Sequence, residues 1–208
     1  MMIFFKSIYG WVIENYVKVI LFITTFVFLY GIYFYYTLSA QKRDQETGDS
    51  FLKFYSSYSE SNFDEEEYLS AFNKISKINE ESIYLAMLKS LRAAEFISKN
   101  EKQEGLFELV KAKEILSNKG EEFNFLKEIV NLRIISILID LEDLDRAKNL
   151  LKDDFIIYRA NKLIFEGDIL ALENKFQDAK KSFKEALMIS ENETQKNIIN
   201  LKISALTE

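Results

Sequence analysis

The spacing of apolar and polar residues divides the chain into a long apolar run near the N-terminus and a longer part with a helical period. The run, residues 19–41, reads VILFITTFVFLYGIYFYYTLSAQ; it contains no charged residue, and Lys18 and the pair Lys42-Arg43 border it. At about 1.5 Å per residue, a helix of this length crosses a hydrocarbon core of roughly 30 Å. We therefore predict a membrane-spanning helix over about residues 19–41, within an N-terminal segment of residues 1–43.

A cleaved signal peptide is the alternative interpretation of this run. Such peptides have a shorter apolar core, of about 7–15 residues, and a small-residue cleavage site. The best candidate site, Leu38-Ser39-Ala40, has a poorly suited first residue, so an uncleaved anchor is favoured. Residues 1–16 are partly apolar and fit either an interfacial helix or an early extension of the span. Basic residues on the two flanks are nearly balanced and leave the orientation open.

From residue 44 to the C-terminus, apolar residues recur at helical spacing without strand-like alternation of useful length. Asp64, with Glu67 three residues later, is typical of a capped helix start. The connections are short, so consecutive helices should pack antiparallel. The predicted helices cover residues 44–59, 64–78, 81–99, 102–116, 121–140, 143–151, 155–173, 175–190 and 191–206.

The stretch 160–189, ANKLIFEGDILALENKFQDAKKSFKEALMI, follows most of the tetratricopeptide pattern of paired helices. Gly167 falls where the first helix of a pair needs a small residue so that its partner can approach. The other positions of the pattern are apolar or small: Leu163, Leu170, Ala179, Phe183 and Ala186. We predict that these six residues are structural determinants of a repeat.

A weaker repeat signal runs through the preceding residues. Ala112, Ala147 and Ala179 are 35 and 32 residues apart, and a large apolar residue follows each of them by four positions. These distances bracket the repeat length of about 34 residues. The predicted fold is therefore all-α, with one N-terminal transmembrane helix and a tetratricopeptide-like antiparallel helical solenoid over residues 44–208. A generic helical bundle with chance alanines is the alternative.

Composition limits the chemistry that the chain can perform. It has no histidine, cysteine or proline, so it has no thiol nucleophile, disulfide, imidazole base or ordinary zinc or haem site. Carboxylate runs occur at helix starts, where they complement the helix dipole, and no phosphate-binding loop or nucleophile motif is present. We predict a protein that is not an enzyme, with no catalytic residue, metal, cofactor or small-molecule substrate.

Charge separates the two predicted parts. The first 43 residues hold four of the 27 basic residues and one of the 33 acidic residues, which leaves residues 44–208 with a net charge of −9. An acidic domain repels nucleic acid, so nucleic acid is not an expected ligand. Stacked helix pairs instead offer a groove for a peptide or a partner helix, lined mainly by the first helix of each pair. The candidate groove residues are Tyr84, Arg92, Tyr158, Arg159 and Lys162.

The combination of an N-terminal span and a small acidic tetratricopeptide-like domain resembles the ancillary SecYEG translocon subunit family, the YfgM-like proteins. The resemblance is strongest over residues 165–171, with the pair Gly167-Asp168, and over residues 177–180 and 183–187. The chain departs from the family in lacking its alanine- and leucine-rich composition and its final proline.

This resemblance implies a single-pass protein of the bacterial inner membrane whose soluble domain lies in the periplasm. It implies an accessory of the Sec translocon that hands over or chaperones translocated polypeptides, with SecYEG and a membrane-anchored periplasmic chaperone as partners. A tetratricopeptide scaffold of another envelope assembly, in secretion, motility or outer-membrane biogenesis, is the alternative, because a fold does not choose among such functions.

Overall fold

The computed structural model describes residues 15–60 and 63–206, and all regular elements in these residues are helical. This confirms the all-α prediction. In chain order the α-helices are α1 (Tyr16–Glu60), α2 (Glu65–Ile78), α3 (Ile83–Ser98), α4 (Lys102–Ser117), α5 (Asn124–Asp140), α6 (Leu144–Leu150), α7 (Arg159–Leu172), α8 (Phe176–Ile189) and α9 (Glu193–Ala205). A 3-10 turn, Glu121–Phe123, precedes α5.

Helix α1 corrects one predicted boundary. The sequence predicted a span over about residues 19–41 and a separate helix over 44–59, whereas the structure has one continuous helix, Tyr16–Glu60. No proline interrupts this stretch, and a single glycine such as Gly48 lowers helix stability by only about 1 kcal/mol, which does not end a long helix. Residues 1–14, with most of the predicted N-terminal interfacial segment, lie outside the described residues.

The chain forms two compact units, Met1–Asp49 and Ser50–Glu208. In the first unit, large apolar side chains of α1 are exposed along the predicted span, among them Leu21, Phe22, Phe26, Phe28, Tyr33 and Tyr36. Among the described residues, α1 is the one helix long and apolar enough to cross a membrane. An N-terminal signal sequence can have the same length and composition.

In the second unit, three pairs of consecutive helices are joined by the same kind of turn. The pairs are α3–α4, α5–α6 and α7–α8, and the turns contain Asn100, Glu142 and Asn174, each with a positive φ of 60–64°. In each turn the next residue donates its N–H to a carbonyl five positions earlier at 2.8 Å, as Glu101 does to Phe96. This bonding satisfies carbonyl groups at a helix end. The recurrence makes the three turns structurally equivalent.

The buried positions of the pairs follow the predicted spacing. Ala112, Ala147 and Ala179 are all fully buried. The apolar residues four positions later, Leu116, Leu151 and Phe183, are also buried. Small residues at these positions allow the second helix of each pair to pack closely against its neighbours. The last pair continues into α9, which packs on α8 and buries Ile199 against Phe183 and its neighbours.

Gly167 lies on α7 directly against the Phe183 ring of α8. A Cβ atom at this position would lie 2.5 Å from Cε1 of the Phe183 ring, which is itself buried. The six predicted repeat residues share one cluster: Ala179, Phe183 and Ala186 are buried, Leu163 and Leu170 are half-buried, and Gly167 lies against Phe183.

We expect the Gly167→Ala variant to lower the free energy of unfolding by about 2 kcal/mol. The added methyl group must displace a packed ring, and such overpacking outweighs the gain in helix propensity. Chemical denaturation of the full-length protein in micelles, followed by circular dichroism, measures the change. In a Phe183→Leu background the same substitution should be much less harmful, because the ring is gone. Equal losses in both backgrounds would contradict the proposed contact.

Candidate functional site: an isoleucine cleft

A cavity of about 1020 Å³ lies between the start of α7, the α8–α9 connection and α9. We name it the isoleucine cleft, because five of its lining residues are isoleucines. The lining residues are Ile156, Ile157, Tyr158, Arg159, Ala160, Asn161, Ile164, Ile189, Ser190, Glu191, Asn192, Thr194, Gln195 and Ile198. The cavity volume is in the range of sites that hold a ligand of substantial size.

One rim of the cleft is a loop that the sequence predicted to be helical. The sequence predicted a helix over residues 155–173, but the helix begins only at Arg159. The prediction was therefore wrong for residues 155–158. The carboxylate of Glu128 accepts hydrogen bonds from the backbone N–H groups of Ile156, Ile157 and Tyr158 at 2.9, 3.0 and 2.8 Å. The Glu128 side chain on α5 therefore accepts hydrogen bonds from N–H groups just before α7, as a capping residue does at a helix start.

Glu128 is a determinant that sequence reasoning missed. It is only 5% exposed, and such burial of a carboxylate is tolerated when hydrogen bonds replace its hydration. Phe155, just before the three bonded residues, is also buried and packs in the main core. A signal was present in the sequence: Glu128 and Asn131 occupy adjacent turns on a face that continues with Ile135, and polar residues there break the apolar pattern.

The loop held by Glu128 presents two consecutive isoleucines to solvent. Ile156 is 75% exposed and Ile157 is 55% exposed. Across the cleft, Ile189 and Ile198 are exposed as well. A contiguous exposed apolar surface with polar residues around it is a feature of interaction sites.

Side-chain amides form part of the polar lining of the cleft. Gln195 donates from Nε2 to Oδ1 of Asn161 at 3.1 Å, and its Oε1 accepts from Ser190 Oγ. Asn192 caps α9, because its Oδ1 accepts the N–H of Gln195 at 3.0 Å. Within the described residues, the Nδ2 groups of Asn161 and Asn192 make no hydrogen bond. Two amide donors therefore stay available beside the isoleucines.

The structure does not gather the five predicted groove residues into one site. Tyr158 and Arg159 line the isoleucine cleft. Lys162 donates to the backbone oxygen of Asp153 at 3.2 Å. Tyr84 packs against Phe51, with ring centroids 5.5 Å apart. That these five residues contact a ligand stays a prediction.

The fifth predicted residue, Arg92, belongs to a charge cluster between α2, α3 and α4 that includes the buried carboxylate of Glu108. Its guanidinium contacts Glu65 at 2.6 Å and Glu108 at 3.5 Å, and Lys89 contacts Glu108 at 3.0 Å. The guanidinium also lies over the ring of Tyr68, 4.8 Å from its centroid. Because these partners come from three helices, the cluster fixes how the helices pack.

Tyr68, beside this cluster, gives a prediction on pH. Burial, together with the negative charge of Glu108, raises the pKa of its hydroxyl to about 12. A raised folded-state pKa stabilises the fold fully below the unfolded value of about 10, and this contribution is lost as the pH rises through about 12. We expect the free energy of unfolding to fall between these values. The Tyr68→Phe variant should lack this part of the fall in the free energy of unfolding.

Difference titration by tyrosinate absorbance isolates this group from the other ten tyrosines of the 11 in the chain. The wild-type minus Tyr68→Phe difference should show one ionisation near pH 12. A difference titration centred near pH 10 would contradict the predicted environment of the hydroxyl.

A second, smaller apolar depression lies between Phe51, α3 and α5, with a volume of about 200 Å³. Its lining includes Tyr55, Met87, Leu91 and Ile129, and Arg133 is its one charged residue. Helices α3 and α5, which line this depression, are the first helices of two pairs.

Repeated antiparallel helix pairs with equivalent turns define an all-α helical-repeat protein. The family model of the Tetratricopeptide repeat-like domain matches residues 10–208, and the chain belongs to this family. Neither a search of curated proteins nor a search of solved structures finds a significant match. The domain indicates a protein–protein interaction module, of a kind that is typically a scaffold without enzymatic activity.

Proposed function

We propose that this protein is a membrane-tethered interaction module and an accessory of the Sec translocon that hands over or chaperones translocated polypeptides. The observation that carries the proposal is the family match over residues 10–208, which includes both the apolar helix α1 and the helical repeats. The resemblance around Gly167-Asp168 supports the translocon assignment. SecYEG and a membrane-anchored periplasmic chaperone are the proposed partners.

The proposed arrangement is a single-pass protein of a bacterial inner membrane, with residues 1–43 as the anchor segment and residues 44–208 as a periplasmic interaction domain. Exposed apolar side chains along α1 in the first unit support the anchor, because exposing such a surface to water is unfavourable. The proposed role requires no catalysis, cofactor or small-molecule substrate. Among the described residues, no group of histidine, cysteine or carboxylate side chains is arranged to hold a metal ion.

The proposal is tested by recovering the full-length tagged protein from membranes in mild detergent and identifying its partners by mass spectrometry. A control variant carries an unrelated span in place of residues 19–41. Recovery of Sec channel subunits, lost or weakened in the control, would support the translocon role and assign the anchor a part in binding. Reproducible recovery of another envelope complex without Sec subunits would overturn the translocon role.

Anchor and orientation are tested with a single introduced cysteine, which has no background because the chain contains none. Lys181→Cys places a thiol on the exposed surface of α8. We expect a membrane-impermeant maleimide to label it from the periplasmic side, and we expect the intact mass to include the N-terminal segment. Labelling only after lysis would place the domain in the cytoplasm, and a mass that begins after Ala40 would show a cleaved signal peptide.

A further inference from the structure

We propose that the isoleucine cleft binds an extended, uncharged apolar stretch of unfolded polypeptide. The inference rests on the proposed function, which it deepens by naming the ligand class and the site that receives it. Four features of the cleft carry it: exposed apolar surface, a fixed rim, free amide donors and local charge neutrality.

Exposed isoleucines provide the driving force for binding. Ile156 and Ile157 on the rim face a cleft that also exposes Ile189 and Ile198. Burying such side chains under a ligand stabilises a complex by roughly 25 cal/mol per Å² of apolar surface removed from water. An isoleucine side chain has no polar atom, so this surface favours apolar side chains as a class.

The rim is fixed before any ligand arrives. Three N–H groups of residues 156–158 are held by one carboxylate, and Phe155 is anchored in the core. A loop that is ordered in advance loses little conformational freedom on binding. The arrangement therefore favours binding over the alternative in which the isoleucines fold inwards to cover themselves.

The free amides complement a peptide backbone. The Nδ2 groups of Asn161 and Asn192 are donors beside the apolar wall, and an extended chain presents carbonyl acceptors that its own secondary structure does not use. Every residue has such a carbonyl, so these contacts do not depend on the ligand's sequence. Apolar contacts plus backbone contacts suit varied unfolded segments.

The charges in and around the cleft favour a neutral ligand. Arg159 and Glu191 are the two charged lining residues, and their charges cancel, whereas residues 44–208 carry a net charge of −9. The surrounding negative field disfavours an acidic peptide, an anionic lipid surface and a second copy of this acidic domain. An uncharged apolar segment enters the cleft without this repulsion, and basic residues flanking it are attracted.

The test uses the full-length protein in nanodiscs of neutral phosphatidylcholine and a short fluorescent peptide in which isoleucine and valine alternate with serine, with a lysine at each end. A matched peptide replaces isoleucine and valine with serine. Fluorescence anisotropy measures the dissociation constant for the wild type, for Ile157→Asn and for Leu201→Asn. Leu201 is a control on α9 that is 71% exposed and does not line the cleft.

We expect the apolar peptide to bind the wild type and Leu201→Asn equally, and to bind Ile157→Asn about tenfold more weakly, because one apolar contact is lost. The serine peptide should not bind. Absence of binding to the wild type, or equal binding to Ile157→Asn, would overturn the inference. Sedimentation that shows a dimer disrupted by Ile157→Asn would also overturn it, since a second copy would then occupy the cleft.

This experiment separates the site from the translocon role. Peptide binding measured with purified protein does not depend on which membrane complex the chain joins. If the peptide binds and no Sec subunit is recovered from membranes, the cleft stands and the translocon role fails. If Sec subunits are recovered and the peptide does not bind, the cleft inference alone fails.

Discussion

The Glu108→Gln variant should lower the free energy of unfolding by about 4 kcal/mol, because it leaves Lys89, whose side chain is only 15% exposed, without its carboxylate partner. The Glu108 side chain is only 8% exposed, and it contacts Lys89 at 3.0 Å and Arg92 at 3.5 Å. Glutamine keeps the shape of the side chain and removes its charge, so the loss reports on electrostatics and not on a cavity. Urea denaturation of the full-length protein in micelles measures the difference.

Glu65→Gln is the matched control for this experiment. Glu65 contacts the same guanidinium at 2.6 Å, but its side chain is 52% exposed. Exposed ion pairs contribute about 0–1 kcal/mol because water screens them. We therefore expect a small loss in the control despite its shorter contact distance. Similar losses in the two variants would show that burial does not set the strength of this cluster.

The Glu128→Gln variant should have the second largest effect, a loss of about 3 kcal/mol. One glutamine oxygen replaces a carboxylate that accepts three backbone N–H groups, and hydrogen bonds to a charged group contribute about 1.5–3 kcal/mol each. Some of the loss should be recovered, because Ile156 and Ile157 lie at the surface and water can reach their N–H groups once the loop opens.

Amide hydrogen exchange locates this effect. In the wild type, the N–H groups of residues 156–158 should exchange slowly for a loop, because each is bound to Glu128. In the variant these groups should exchange faster while protection in α3 and α4 stays the same. Glu121→Gln, an exposed acidic change close to α5, should alter neither. Unchanged exchange at residues 156–158 would contradict the role of Glu128.

The helices could be predicted because local pattern determines them. Asp64 caps α2 as its spacing to Glu67 predicted, with Oδ1 accepting the N–H of Glu67 at 2.8 Å. The apolar period and the short connections likewise gave the order of the helices. The spacing of three alanines indicated the pairs, since a small buried residue must recur wherever equivalent helices pack.

Contacts between residues far apart in sequence could not be predicted. Residues 155–158 have an apolar content suited to a helix, and only the position of Glu128 in space directs their N–H groups elsewhere. Arg92 was predicted to line a groove because it lies on the first helix of a pair. Its partners come from other helices, so its place in the charge cluster is visible only once the fold is known.

The turns at Asn100, Glu142 and Asn174 have a consequence for how this chain can change in length. Each turn closes with equivalent hydrogen bonds inside its own pair. Each pair therefore contains the residues that reverse the direction of its chain. Duplicating or deleting the residues between two such turns would add or remove one unit while leaving the remaining turns intact. Gene rearrangement can therefore extend the receptive surface of such a protein in discrete steps without redesign of its parts.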